Sequence, residues 1–184
     1  MDPELVMLAR GGDHDAFARL VAGSIGRLNA IARLILRDYA LAEDAVQDAF
    51  VDAWRSLPGL REPERFQAWL TRLLIRSCQD TRRRARRHPL EMPLLPSDGP
   101  DVADHQTTFA AVDQIERGLQ GLTVDQRTVI VLIYYLDLPI AEGASVLGIP
   151  TGTMKSRLHR ALLALRAAVD ADERPMPSTA ERTT

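Results

Sequence analysis

Residues 88–106, HPLEMPLLPSDGPDVADHQ, hold Pro89, Pro93, Pro96 and Pro100 and contain neither lysine nor arginine. Each proline removes a backbone donor and fixes φ, so neither a helix interior nor a central strand survives that density. The chain is expected to divide here into a helical module over 1–87, a flexible acidic Pro-rich linker over 88–106, a second module over 107–170 and a disordered polar tail over 171–184. Fully stretched, at about 3.4 Å per residue, the linker reaches up to roughly 65 Å.

On both sides of the linker the apolar residues recur at helical spacing and no stretch alternates as a strand would, which predicts an all-α protein. Four helices are expected in the first module. A short one covers 4–10. Asp13 opens a second, carrying Phe17, Leu20, Val21, Ile25, Leu28, Ile31, Ala32 and Ile35. A third bears Val46, Ala49, Phe50, Ala53, Trp54 and Leu57, and a fourth runs from about Glu64 to Arg87, with Pro63 in its first turn. Beyond the linker, helical pattern resumes near Thr108. Thr123 to Gln126 forms a capping box before Val129, Ile130, Leu132, Ile133 and Leu136.

The chain of 184 residues is 46% hydrophobic and 26% charged, a globular composition. No run of eighteen apolar residues occurs, and the N-terminal MDPELVMLARGGDHD is too acidic and too interrupted for a secretory signal, so a cytoplasmic protein is expected. The single Cys78 permits no internal disulfide and suits packing better than chemistry. The net charge of −2 conceals a strong pattern. Residues 1–54 carry five basic against nine acidic residues, 55–88 ten against three, 89–150 two against nine, and 151–184 six against four. A polyanion would be held at two separate places, while the acidic blocks must face something else.

The second basic block has a specific form. In GIPTGTMKSRLHRALLAL, residues 148–165, the apolar Met154, Leu158, Ala161, Leu162 and Leu165 fall on one arc of a helix, with Lys155, His159 and Arg160 opposite. Ahead of it, Ala144 is small where two helices would cross, and Gly148 supplies a turn with positive φ. This is the spacing of a helix-turn-helix, whose second helix enters the major groove. Thr151, Thr153, Lys155, Ser156 and His159 would lead, with Arg157 and Arg160 to the side where phosphates run. A solvated basic face is the plainer reading of the same residues.

LTVDQRTVIVLIYYLDLPIAEGASVLGIPTGTMKSRLHRALLALR closely resembles the fourth region of bacterial sigma factors of the extracytoplasmic-function group, and LAEDAVQDAFVDAWRSLPGLREPERFQAWLTRLLIRSCQDTRRRARR resembles their second region. The two stretches stand in the family's order, joined by a short linker. The resemblance implies a dissociable specificity subunit of RNA polymerase, without cofactor or small-molecule substrate. Its partners would be core polymerase, promoter DNA and an anti-sigma protein.

It further implies that Asp44, Gln47, Asp48 and Asp52 grip the clamp helices of the polymerase largest subunit, whereas sequence chemistry alone prefers a solvated acidic face. Arg61, Arg65, Arg72, Arg76, Arg82 and Arg83 would hold the opened minus-ten element, and Thr151, Thr153, Lys155, Ser156, Arg157, His159 and Arg160 the minus-thirty-five duplex. Phe66 and Trp69 fit core packing better than stacking on bases. The acidic linker would thread toward the polymerase cleft or act as a plain tether. Three positions depart from the family pattern: Arg76 replaces a usual Asn, Gln79 a usual apolar residue, and Gly143 a bulky apolar residue in the first helix of the helix-turn-helix.

Two rival classes remain. A stand-alone helix-turn-helix regulator would use the second module alone. An enzyme could hold a metal ion on Asp44, Asp48 and Asp52, as helical prenyl-transfer enzymes do, but it would need a second acidic helix across a cavity, and none is apparent. No catalytic residue and no metal site are assigned. Leu163 lies about 180° around its helix from Met154, an exposed apolar group that a protein partner could cover.

Overall fold

The computed structural model describes residues 2–87, 119 and 121–172, and every regular element among them is helical. The order is α1 (Pro3–Arg10), α2 (His14–Ala22), α3 (Ile25–Leu36), α4 (Tyr39–Ser56), α5 (Phe66–Arg87), α6 (Val124–Ile130), α7 (Ile140–Leu147) and α8 (Thr151–Asp172). Short 3-10 turns, Leu57–Gly59 and Pro63–Arg65, join α4 to α5, and a π-helical turn, Val131–Tyr135, prolongs α6. The proline-rich stretch, the helix expected near Thr108 and the tail beyond 172 lie outside the described residues. No described helix is long and apolar enough to cross a membrane.

Helix starts follow from short polar side chains that take up free backbone donors. Asp13 Oδ1 accepts from Ala16 N and Asp38 Oδ1 from Leu41 N, each at 2.9 Å. The Thr123 box forms in both directions: Gln126 N donates to Thr123 Oγ1 at 3.3 Å, and Thr123 N donates to Gln126 Oε1 at 2.8 Å.

One expected helix is two. The stripe opened by Asp13 breaks at Gly23 and Ser24, where Gly23 N donates to Arg19 O and Ser24 N to Val21 O. Glycine is the weakest non-proline helix former, and the buried Ser24 hydroxyl accepts from Gln67 Nε2 of α5 at 3.3 Å. Apolar residues recur at helical spacing on both sides of the break, so periodicity alone conceals it. At the other end of the chain, α8 runs past the expected limit at 170.

In the first module α4 turns Ala42, Ala45, Ala49 and Ala53 inward, all buried, and these small side chains let α5 lie close along it. Leu20, Leu28, Ile31, Ile35, Phe66, Leu70 and Leu74 fill the space around them. Phe66 is core as expected, with the half-buried Trp69 ring 5.8 Å away. Cys78 is packed among them, and burial pushes its thiol up to about 12, so it is inert at neutral pH. The second module closes over Val129, Leu132, Ala144, Met154, Leu158 and Ala161.

The two modules touch. Arg127 of α6 donates from Nε to the Ile35 carbonyl near the end of α3 at 2.7 Å, and from Nη1 to Leu122 O at 2.8 Å and Leu119 O at 3.2 Å. Arg82 of α5 stands 2.8 Å from Asp125 of α6 as an ion pair.

Gly143 is helical and buried where α7 crosses α8. A Cβ at this position would come 2.9 Å from Met154 Cε and 3.3 Å from Ile133 Cδ1. The end of the Met154 side chain thus fills the volume that a bulky residue at 143 would take. Gly143→Ala would restrict the unfolded chain, a gain of about 0.5–1 kcal/mol in a site with free space. Here displacement of the Met154 methyl offsets it. Urea unfolding of the full chain is expected to show less than about 0.5 kcal/mol of change for Gly143→Ala alone, and the gain should reappear in a Met154→Leu background, which lacks the ε-methyl. Equal effects in both backgrounds would contradict the contact.

Candidate nucleic-acid interface

The helix-turn-helix is built by three local choices. Gly148 closes α7 with φ 63°, a conformation costly for any residue carrying a Cβ, and Ile149 N donates back to Ala144 O at 3.0 Å. Pro150 ends the turn, and its carbonyl accepts from Met154 N at 3.0 Å as α8 begins. Met154, Leu158 and Ala161 then anchor α8 on α6 and α7.

The residues expected to face DNA differ in exposure. Thr151, Lys155, Ser156, His159 and Arg160 are exposed, while Thr153 and Arg157 are half-buried. Ser156 Oγ donates to Thr153 O at 3.0 Å, and Arg160 Nε donates to Ser156 O at 3.2 Å, so both side chains are steadied by their own helix. Arg157 and Arg160 turn to one side, where with Thr123, Asp125 and Gln126 they line a polar cleft of about 310 Å³. Leu163 is 55% exposed on the far arc, as its position around the helix requires.

A second basic site lies on the first module. The loop after α4 and the start of α5 bring Arg61, Arg65 and Arg72 around a groove of about 500 Å³ with Leu60, Glu62, Ala68 and Trp69. Arg65 is paired with Glu62 at 2.7 Å, an exposed contact between two residues of the groove lining. Trp69 contributes to this wall as well as to the core, a role the sequence reading did not give it. Glu142 of α7, from the other module, also stands on the wall.

The remaining arginines of the expected minus-ten set separate. Arg76 is exposed further along α5 and is absent from the groove lining. Arg83 pairs with Asp80 on its own helix at 3.0 Å. Arg82 is withdrawn into the contact with Asp125, its side chain only 17% exposed, so it belongs to the seam between modules rather than to the groove.

The acidic stripe on α4 is also divided. Asp48 pairs with Arg84 of α5, which raises the arginine's affinity for its proton through that hydrogen bond and the opposite charge. Asp44, Gln47 and Asp48 line a hollow of about 420 Å³ that Arg84 closes, whereas Asp52 is exposed beyond it. Gln47 also borders a wider apolar groove of about 720 Å³ whose walls include Phe17, Ile25, Val51 and Trp54. Ile25 and Val51 are 43% and 42% exposed, and His14 stacks on Trp54 at 4.6 Å. The sequence reading assigned Phe17, Ile25 and Trp54 to the core stripe. Helical spacing places a residue on a face but does not say whether another helix covers it.

Among the described residues no group of three or more His, Cys, Asp or Glu side chains is placed to hold a metal ion. Among the described residues, the neighbour of Asp44 and Asp48 is the arginine-bearing end of α5.

These two basic sites coincide with two family matches. Residues 20–88 match sigma-70 region 2, and residues 113–165 match sigma-70, region 4. The chain is 36% identical over 160 residues to the ECF RNA polymerase sigma factor SigM of Mycobacterium tuberculosis, a match covering 87% of this chain and 80% of that protein. Its fold is similar to that of CnrH solved in complex with the cytosolic domain of CnrY, at 29% identity and TM-score 0.62, covering 93% of this chain and 98% of CnrH. It is also similar to the sigma factor RpoE in complex with the anti-sigma factor NepR from Bartonella quintana, at 27% identity and TM-score 0.62, covering 85% and 98% of the two chains. With both regions present in order and a relative matched along most of its length, the chain belongs to the extracytoplasmic-function group of sigma-70 family RNA polymerase sigma factors.

Proposed function

We propose that this sigma factor divides promoter recognition between its two basic sites, with α8 reading the minus-thirty-five duplex and the Arg61, Arg65 and Arg72 groove holding the opened minus-ten strand. The observation that carries this reading is their separation on one chain. A convex basic helix suits the major groove of a duplex, and a basic concavity with an aromatic wall suits single-stranded DNA. Lys155, Arg157 and Arg160 serve phosphates, while Thr153, Ser156 and His159 stand nearer base edges. A stand-alone regulator would leave the region 2 match over 20–88 without a task.

The α4 surface is the polymerase-facing side, acting in the cytoplasm where transcription occurs. The acidic hollow of Asp44, Gln47 and Asp48, with Asp52 beside it, supplies charge, and the adjoining groove with Ile25 and Val51 supplies apolar area for a clamp helix. Such a surface is a binding surface. RNA synthesis belongs to the polymerase, and this chain positions it. An anti-sigma protein, of the kind bound to RpoE in one structural relative, would cover parts of the same surfaces, including the exposed Leu163.

Two measurements test the assignment. Replacing Arg160 by Ala should weaken duplex binding across sequences and lower the slope of log affinity against log salt by about 1. An unchanged slope would remove Arg160 from the phosphate contacts. Val51→Arg puts a charge into the apolar groove from an exposed position, so the fold is expected to persist. Retention of core polymerase in a pull-down should fall at least about tenfold. Retention at the unsubstituted level would place the polymerase contact elsewhere.

A further inference from the structure

The loop that carries Arg61 is pinned by apolar side chains at one end and left irregular at the other. Residues 60–62 lie between the two 3-10 turns and have no regular structure of their own. Leu57 and Leu60 are buried in the core, while Arg61 is exposed on the groove wall. Apolar burial has no direction, so these anchors fix where the loop sits but not how its peptide planes are turned.

Arg10, in the last turn of α1, supplies the direction. Its Nη1 donates to the Leu60 carbonyl at 3.2 Å, across fifty residues of sequence. The peptide is planar and trans, so a carbonyl tied to α1 turns the Arg61 N–H to the opposite side. α1 is a firm base for this bond, because Val6 and Ala9 are buried and the helix packs on both 3-10 turns. Asp2 closes its start by accepting from Glu4 N at 2.9 Å. The match to sigma-70 region 2 begins at residue 20 and leaves α1 without an assigned task.

We infer that Arg10 is a positioning residue for the minus-ten strand, holding the Leu60–Arg61 peptide so that Arg61 meets a phosphate from one preset direction. This inference rests on the reading of the arginine groove as the strand site. A loop fixed before DNA arrives loses less freedom on binding, which raises affinity without a new contact to DNA. Arg10 therefore acts through Arg61, and its contribution disappears when the Arg61 side chain is removed.

The test uses core polymerase loaded with the full chain and a fluorescent fork-junction DNA, whose single strand carries the minus-ten sequence of a promoter chosen by run-off transcription from a random library. Arg10→Ala is expected to weaken binding about threefold to tenfold, the span of one net hydrogen bond. In an Arg61→Ala background the same substitution should cost less than about twofold. Amide hydrogen exchange of the full chain should quicken over 57–65 in Arg10→Ala and stay unchanged across α4 and α5. An equal loss in both backgrounds would mean that Arg10 meets DNA itself, and faster exchange throughout α4 and α5 would make it a general support of the fold. Either result overturns the inference. So would full binding by Arg10→Ala while Arg61→Ala still loses affinity, an outcome that leaves the groove as the strand site. Full binding by Arg61→Ala would overturn the assignment of Arg61 to the strand and the positioning role with it.

Discussion

Arg127 takes a positive charge into the seam between two helical modules, where its guanidinium meets backbone carbonyls. Burial, and to a smaller extent the charge of Arg37, pull its pKa down to about 10, so it remains protonated at neutral pH and must be solvated by the protein. Three carbonyls do this: Leu119 and Leu122 order the approach to α6, and Ile35 belongs to α3 of the other module. The planar guanidinium can reach all three at once, which a lysine ammonium could not do from the same stem. Removing one partner would leave buried polar groups unpaired, at about 1–3 kcal/mol each. One side chain thereby couples the entry to the helix-turn-helix module to the position of that module on its neighbour.

The distribution of charge across the molecule follows from that coupling. Docking brings α7 against α5, which sets Glu142 beside Arg61, Arg65 and Arg72 and sets Asp125 beside Arg82. On the opposite side of the first module Arg84 is tied to Asp48. Of the arginines on α5, then, some are committed to acids and others face outward into a groove. The recognition helix α8 keeps its basic arc exposed, because Met154, Leu158 and Ala161 face inward. The basic arc of α8 is open, while the arginine groove of the first module has an acid of the second at its wall.

Much of this was legible in the sequence wherever a single residue type decides local backbone chemistry. The caps at Asp13 and Thr123, the positive φ at Gly148 and the buried place of Met154 follow from side chains acting on neighbours a few residues away. Contacts between distant segments were not legible. Arg82 and Arg83 are adjacent in one basic run, yet Arg82 enters the seam and Arg83 stays on its own helix, a difference fixed by where α6 arrives. Ile25 and Trp54 have the spacing of core residues and lie on a groove because no described helix crosses over them. Gly143 looks like a defect in a helix until the ε-methyl of Met154, eleven residues on, is found in the space.

The central claim is that the two modules of the free protein are held in one arrangement by the Arg127 seam. Spin labels at Arg19→Cys on α2 and Ser145→Cys on α7, both exposed positions, would report it by pulsed electron resonance, since Cys78 is buried and unreactive. The unsubstituted seam should give one narrow distance distribution that Arg127→Met broadens toward longer separations. A distribution already broad in the free protein, and unchanged by Arg127→Met, would contradict it.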